Sequence, residues 1–175
     1  MELRKDYILN RWAIIAERRA KRPDEFKQEK EHSPEGKCYF CPGNEKETPP
    51  EISRTEKEGH WAIRNFPNKF SFLEMQGSGI IKTANSFFTY SDAYGEHEVI
   101  AETPDHNRQL WDLSPEEMKD IFKMYSARIA ELSKRHEYVV IFKNSGKDAG
   151  TSIFHSHSQV AALDIVPPNI EEDAD

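Results

Sequence analysis

The stretch of sequence that decides the fold is residues 114–142, SPEEMKDIFKMYSARIAELSKRHEYVVIF. Ser114 is a typical N-cap residue, Pro115 suits the first helical position, and Glu117 completes a capping box. The uninterrupted apolar run at residues 138–142 predicts a buried strand directly after this helix. Between the two, apolar side chains recur at helical spacing and predict one buried helix face, formed by Met118, Ile121, Phe122, Tyr125, Ile129 and Leu132.

Around this helix lie short segments with strand-like patterns, separated by turn residues. They include residues 86–90, residues 98–102 and a final strand near residues 160–165. One long helix packed on several strands joined by turns predicts an α+β fold with a mainly antiparallel sheet. The length of 175 residues suits a single domain, which we expect over residues 1–170, followed by a frayed acidic tail at residues 171–175.

The composition argues against several classes of protein. The chain carries 24 Lys and Arg against 31 Asp and Glu, a net charge of −7, and its basic residues form no long block. Nucleic acid is therefore not the expected partner, because duplex binding needs clustered cations. No apolar run approaches the roughly 20 residues of a membrane span. With only two cysteines, both in one motif, we expect a reducing, cytoplasmic location.

The two cysteines form a Cys38-x-x-Cys41 motif beside the turn Pro42-Gly43-Asn44. Two thiolates at this spacing make half of a tetrahedral zinc site. A Cys-x-x-Cys pair can also be redox-active or have no special role, but a redox motif is expected between a strand and a helix rather than beside a turn. Seven histidines could supply the other half, so spacing alone favours zinc and leaves the third and fourth ligands open.

The segment His155-Ser156-His157-Ser158-Gln159 carries the chemistry. In an extended chain its two histidines and its glutamine share one face. Metal binding by both histidines, or a polar sheet face in solvent, would explain this pattern. The alternative that we favour is nucleophilic attack on phosphorus, because a neutral imidazole with one nitrogen held by a hydrogen bond is a good nucleophile.

Two neighbouring features specify that chemistry further. The preceding loop contains Asn144-Ser145-Gly146 and Gly150-Thr151-Ser152, whose N–H groups and hydroxyls can cradle phosphate oxygens. Gln159 can donate a hydrogen bond to a phosphoryl oxygen, but it cannot give a proton to a leaving group. The segment therefore predicts exchange between phosphate esters rather than hydrolysis.

Six short motifs together resemble one known family. The chain resembles the N-terminal half of galactose-1-phosphate uridylyltransferases, a branch of the histidine-triad superfamily in which glutamine replaces the third histidine. Each motif is weak by itself, but all six occur in the same order and span nearly the whole chain. They are Arg19-Ala20-Lys21-Arg22-Pro23, Cys38-x-x-Cys41-x-Gly43-Asn44, Phe66-Pro67-Asn68-Lys69-Phe70, Thr103-Pro104-Asp105-His106, Asn144-Ser145-Gly146 and His155-x-His157-x-Gln159.

The resemblance implies a histidine-triad-like fold and a role for each matching residue. Cys38, Cys41, His106 and His155 correspond to the ligands of one structural zinc ion, and His157 to the nucleophile, with Gln159 beside it. The resemblance and the phosphate-binding loop together assign nucleotide binding to the remaining matched positions: Arg19, Arg22, Asn68, Lys69, Asn144, Gly150, Thr151, Ser152 and Gln159.

The implied reaction moves a nucleoside monophosphate, UMP in the family's best-known members, between sugar 1-phosphates through a nucleotidyl-histidine. The expected partners are a nucleotide sugar and a sugar 1-phosphate. Ser156 stands where the family often has proline, and the family usually has two similar halves, so homodimerisation is one way to complete the pocket. Two alternatives stay open: an ADP-sugar or dinucleotide phosphorylase, and a non-catalytic half-protein that binds zinc and nucleotide.

Overall fold

The computed structural model describes residues 1–16, 38–146 and 148–174. In this part of the chain nine strands, two α-helices and two short 3-10 turns follow one another. The strands are β1 (Glu2–Lys5), β2 (Trp12–Ile15), β3 (Ser53–Lys57), β4 (His60–Pro67), β5 (Lys82–Asn85), β6 (Phe88–Asp92), β7 (Gly95–Ala101), β8 (Tyr138–Phe142) and β9 (His157–Leu163). The helices are α1 (Pro115–Leu132) and α2 (Pro168–Ala174), and the 3-10 turns are Glu45–Glu47 and Leu110–Asp112.

The strands form two antiparallel sheets, which confirms the predicted α+β class. The larger sheet has the order β3-β4-β7-β9-β8, and the smaller has the order β2-β1-β6-β5. Residues 171–174, which we expected in a frayed tail, lie in α2. The single domain over residues 1–170 stays a prediction.

Helix α1 begins as its sequence predicts. The Ser114 hydroxyl accepts a hydrogen bond from the Glu117 N–H, and the Glu117 carboxylate accepts one from the Ser114 N–H at 2.8 Å. The helix ends at Leu132 and packs on the larger sheet. The core between them contains Ile63, Ile100, Ile121, Met124, Leu132, Val160 and Ala162, with Met118 and Tyr125 packed against it.

The predicted buried face of α1 was wrong at two positions. Phe122 and Ile129 are 55% and 41% exposed. The buried positions are Ile121, Met124, Arg128 and Leu132, which form one stripe at spacings of three and four residues. The predicted face also lacked Met124 and Arg128. Arg128 was missed because it is charged, but its guanidinium donates two hydrogen bonds to Glu98 on β7 beneath the helix.

The two faces of β9 have different neighbours. Val160 and Ala162 face α1, whereas Ala161 and Leu163 pack with Leu3 and other residues of a second core cluster on the opposite side. Strand side chains alternate between faces, so His157 and Gln159 share the face opposite α1. The candidate site is therefore built on the sheet face away from the long helix.

Candidate active site

The Cys38-x-x-Cys41 motif forms a tight turn that brings its two sulfurs close together. The Cys41 N–H donates to the Cys38 carbonyl at 3.3 Å, and the Asn44 side-chain amide donates to the same carbonyl at 2.8 Å. His106 follows β7, and His155 lies two residues before the start of β9. Ligand atoms of these two histidines and the two cysteines all lie within 4.8 Å of one another. The four residues could therefore hold one metal ion.

The individual distances show how the cluster is arranged. The Cys41 sulfur lies 3.3 Å from His106 Nδ1 and 3.5 Å from His155 Nδ1, and the Cys38 sulfur lies 3.7 Å from His155 Nδ1. On the far side of its ring, His155 Nε2–H donates to the Thr103 carbonyl at 2.6 Å. That bond places the proton on Nε2 and leaves the Nδ1 lone pair facing the sulfurs, as a metal ligand requires.

Burial shifts the protonation of two members of this cluster, His155 and Cys41. It lowers the pKa of His155 to about 4, so the imidazole is neutral at pH 7. Burial, and then the neighbouring Cys38, raise the pKa of Cys41 to about 12. A divalent cation would reverse the second effect, because thiolates bind such ions directly. Two sulfurs and two imidazole nitrogens are a donor set that suits zinc.

His157 is the first residue of β9 and is 9% exposed. Its Nδ1–H donates to the His155 carbonyl at 2.9 Å, which leaves the lone pair on Nε2. Burial lowers the pKa of His157, so the neutral form is favoured. Phe40, from within the cysteine motif, packs edge-on against the ring at 5.3 Å between centroids. The metal-site loop thus contacts the ring of the candidate nucleophile.

His155, His157 and Gln159 were expected on one face of an extended segment, and only part of that expectation is confirmed. Strand β9 starts at His157, so the alternation applies to His157 and Gln159. His155 lies before the strand, and its ring belongs to the cysteine cluster. The Glu102 N–H still donates to the Ser156 carbonyl just beyond the end of β7, so the pairing with β7 extends one residue past His157, to Ser156.

Gln159 is held by two other side chains, one on β7 and one directly after β4. Its Oε1 accepts a hydrogen bond from His97 Nε2 at 3.0 Å and another from Asn68 Nδ2 at 3.3 Å. The family resemblance assigned Asn68 to nucleotide binding, and that role stays a prediction. His97 was counted among the histidines but given no role. His97 lies on β7, where side chains alternate regularly, so no local sequence pattern singles it out. Only the register between β7 and β9 places it beside Gln159.

The other predicted nucleotide-binding residues are only partly gathered by the structure. In the loop before β9, Asn144 is half-buried, and Gly150 and Ser152 are exposed. The Thr151 hydroxyl is buried and has no hydrogen-bond partner among the described residues. Lys69 is exposed next to Asn68. Arg19 and Arg22 fall within residues 17–37, outside the described residues, and the binding roles of all these residues stay predictions.

A buried polar network that the sequence did not reveal lies behind the site, towards α1. Glu102 is 3% exposed and accepts hydrogen bonds from Lys143 Nζ and the Ser156 hydroxyl, each at 2.6 Å. Tyr125 and Ser158 also bond to this carboxylate. The serine that stands in place of the family's proline is thus engaged by a buried anion, which holds the backbone between the two histidines.

Comparisons with known proteins agree with this geometry. A family model described as galactose-1-phosphate uridyl transferase, N-terminal domain, matches residues 1–167. An ADP-glucose phosphorylase from Arabidopsis thaliana is 37% identical, over 99% of this chain and 52% of its own length. A galactose-1-phosphate uridylyltransferase from Haemophilus influenzae is 31% identical, over 93% of this chain and 47% of its own. The chain spans about half the length of these curated relatives.

Solved structures are similar over the same extent. A crystal structure of an ADP-glucose phosphorylase from Arabidopsis thaliana with bound ADP-glucose gives a TM-score of 0.66 at 33% identity, over 98% of this chain and 51% of that one. A mutant uridylyltransferase gives a TM-score of 0.72 at 28% identity, over 99% of this chain and 48% of that one.

Neither helix in the described ranges combines the length and the apolar character that crossing a bilayer demands. The domain match covers nearly the whole chain, and three of its described motifs converge in space where Cys38, Cys41, His106 and His155 form one cluster. The chain belongs to the galactose-1-phosphate uridylyltransferase family, through that family's N-terminal domain.

Proposed function

We propose that the chain carries the nucleotidyl-transfer centre of an enzyme that uses nucleotide sugars. In the first step, His157 Nε2 attacks the α-phosphorus of the nucleotide sugar, and a P–N bond forms as the bond from that phosphorus to the bridging oxygen breaks. The electron pair leaves with sugar 1-phosphate, which is stable as an anion at pH 7 and needs no proton.

The observation that carries this proposal is the tautomer of His157. A hydrogen bond to a backbone carbonyl holds the proton on Nδ1, and burial favours the neutral ring, so the Nε2 lone pair is available for attack. Gln159, two residues along the same strand face, offers an amide donor for a phosphoryl oxygen. A protein that only binds nucleotides has no need for a nucleophile held in this way.

In the second step, an acceptor phosphate oxygen attacks the nucleotidyl phosphorus and the P–N electron pair returns to Nε2. With a sugar 1-phosphate as the acceptor, the reaction is a uridylyltransferase-like exchange, in which UMP is the transferred group. With inorganic phosphate as the acceptor, the reaction is a phosphorolysis. The 37% identity to an ADP-glucose phosphorylase supports testing phosphorolysis alongside the exchange reaction. It also supports testing adenine nucleotides alongside uracil nucleotides.

The first half-reaction is tested by incubating the protein with UDP-glucose or ADP-glucose without an acceptor. We expect intact-mass spectra to show one added nucleoside monophosphate and an equal amount of glucose 1-phosphate in solution. His157→Ala removes the nucleophile and abolishes both signals. His60→Ala, at an exposed histidine, is the matched control and retains them. Absence of an adduct with either nucleotide sugar would contradict the proposal and favour a non-catalytic binding module.

We also propose that the Cys38, Cys41, His106 and His155 cluster holds a structural zinc ion. The ion would fix the loop that carries the His155 carbonyl, to which His157 is bonded. Elemental analysis is expected to find about one zinc per chain, and a Cys38→Ser/Cys41→Ser variant is expected to lose it. Zinc at the same level in that variant would overturn the ligand assignment. A cytoplasmic location and homodimerisation stay predictions.

A further inference from the structure

Two backbone N–H groups set the direction of the hydrogen bonds around Gln159. The Phe72 N–H donates to His97 Nδ1 at 3.3 Å, and the Phe70 N–H donates to Asn68 Oδ1 at 2.9 Å. A backbone N–H can only donate, so His97 Nδ1 carries a lone pair and a neutral ring carries its proton on Nε2. By the same logic, the other end of the Asn68 amide is its amino group.

Both of these donors converge on one atom of Gln159. His97 Nε2 lies 3.0 Å from Gln159 Oε1, and Asn68 Nδ2 lies 3.3 Å from it. An atom that faces two donors must be the amide oxygen, so the Gln159 amino group points the other way. His97 Nε2 and Asn68 Nδ2 are themselves 3.1 Å apart because they share this acceptor.

His97 is held too firmly to reorient easily. It is 5% exposed, and its ring packs against Phe72 at 4.1 Å and lies 6.3 Å from Phe142, measured between centroids. In the β7–β9 register His97 pairs with Ala161, which makes it a diagonal neighbour of Gln159 on the same sheet face. Flipping the Gln159 amide would bring its amino group against two donors.

From this geometry we infer that His97 is a positioning residue for nucleotidyl transfer and acts through Gln159. It keeps the Gln159 amino group, rather than its oxygen, directed at the phosphoryl group that His157 attacks. A flipped amide would present a lone pair to the negative phosphoryl oxygens and repel them. The inference rests on the proposed function, and it adds His97, acting through Gln159, to the residues that serve that function.

Two substitutions separate positioning from packing. His97→Phe keeps an aromatic ring beside Phe72 but has no nitrogen to donate. His97→Gln loses the ring but can place an amide N–H where Nε2 lies. If His97 positions Gln159, His97→Phe slows adduct formation by roughly 10- to 100-fold at saturating nucleotide sugar. This effect is smaller than the ~10²–10³-fold loss of rate on removing an oxyanion-hole donor itself. His97→Gln is expected to recover most of the rate. A packing role predicts the reverse order.

A double-variant comparison tests whether His97 works through Gln159. In a Gln159→Ala background, adding His97→Phe is expected to change the rate less than twofold, because the group that His97 positions is already gone. The inference would be overturned if each substitution lowered the rate of adduct formation by its own factor and the two factors multiplied in the double variant. It would also be overturned if His97→Phe formed the adduct as fast as the unsubstituted protein.

A spectroscopic measurement keeps the inference separate from the proposed function. In ¹⁵N-labelled protein we expect the neutral His97 ring to be protonated on Nε2, and the Gln159 amino resonances to shift in His97→Phe but much less in His97→Gln. A His97 ring protonated on Nδ1 would refute the inference. If the unsubstituted protein forms no adduct, the proposed function fails, and these resonances still decide whether His97 orients Gln159.

Discussion

The substitution Lys143→Met tests whether the buried network behind the site supports the fold. Lys143 Nζ donates to the Glu102 carboxylate at 2.6 Å, and to the Ser156 hydroxyl and the His157 carbonyl, each at 3.0 Å. The Glu102 side chain is fully buried and that of Lys143 is 19% exposed. Methionine retains most of the length of lysine, so the change removes the charge and leaves Glu102 as a buried anion without a cation.

The expected cost follows from that burial. Removing one partner of a buried ion pair costs about 3–5 kcal/mol, and we expect about 3 kcal/mol because Lys143 is partly exposed and hydroxyl donors remain on Glu102. For a chain of this size that loss lowers the melting temperature by roughly 6–12 °C.

The loss is also expected to depend on pH. Burial raises the pKa of Glu102, but Lys143 and the two serine hydroxyls outweigh burial and hold that pKa below its ordinary value. The network therefore stabilises the fold fully above the pKa of an unfolded carboxyl, and this contribution is lost as the pH falls through the folded pKa. In Lys143→Met, burial is less opposed and the pKa of Glu102 rises. The difference in free energy of unfolding between the two proteins is therefore largest near pH 7. It narrows as the pH falls into the range where carboxylates become protonated.

Guanidinium unfolding at several pH values measures this difference. Lys134→Met is the matched control, because Lys134 is 70% exposed in an ion pair with Glu131 and its loss is expected to have no measurable effect. In Lys143→Met/Glu102→Gln, the buried charge is gone, and the cost is expected to be smaller than the sum of the single costs. The reasoning would be refuted if Lys143→Met lost no more unfolding free energy than the control. It would also be refuted if the difference between Lys143→Met and the unsubstituted protein did not change with pH.

Two further predictions concern the sheet and the long helix. Gly95→Ala places a methyl group 2.1 Å from the Ala162 carbonyl oxygen at φ +149°, so we expect a loss of about 3 kcal/mol or more in chemical denaturation. Gly59→Ala, at φ +79° with nothing within 4 Å, is expected to lose only about 1 kcal/mol, and equal losses would contradict the steric argument. Ser114→Ala removes the N-cap of α1 and is expected to cost about 1 kcal/mol, whereas Ser114→Asp retains stability; equal losses in both would reject the cap.

Some features of this protein were determined by the sequence itself because they depend on neighbouring residues. The cap and length of α1 and the cysteine turn each involve bonds between residues a few positions apart. The apolar run at residues 138–142 correctly predicted a strand, but β8 is half-buried at the edge of the larger sheet rather than buried. The antiparallel α+β class followed from these local patterns. Local periodicity failed where a charged residue was buried, as at Arg128, because only its pairing with Glu98 makes that burial favourable.

The arrangement of the site was decided by the tertiary structure. Cys38 and His155 are 117 residues apart in sequence, and spacing left the histidine ligands open; only the family resemblance named them. No local sequence pattern indicates a role for Glu102, Lys143 or His97. Each acquires its role from the strand register across β7, β8 and β9. Register brings distant side chains within hydrogen-bonding distance, and burial then makes each unpaired polar group costly. The sequence indicated the chemistry of His157 and Gln159, and the fold decided which side chains hold them in place.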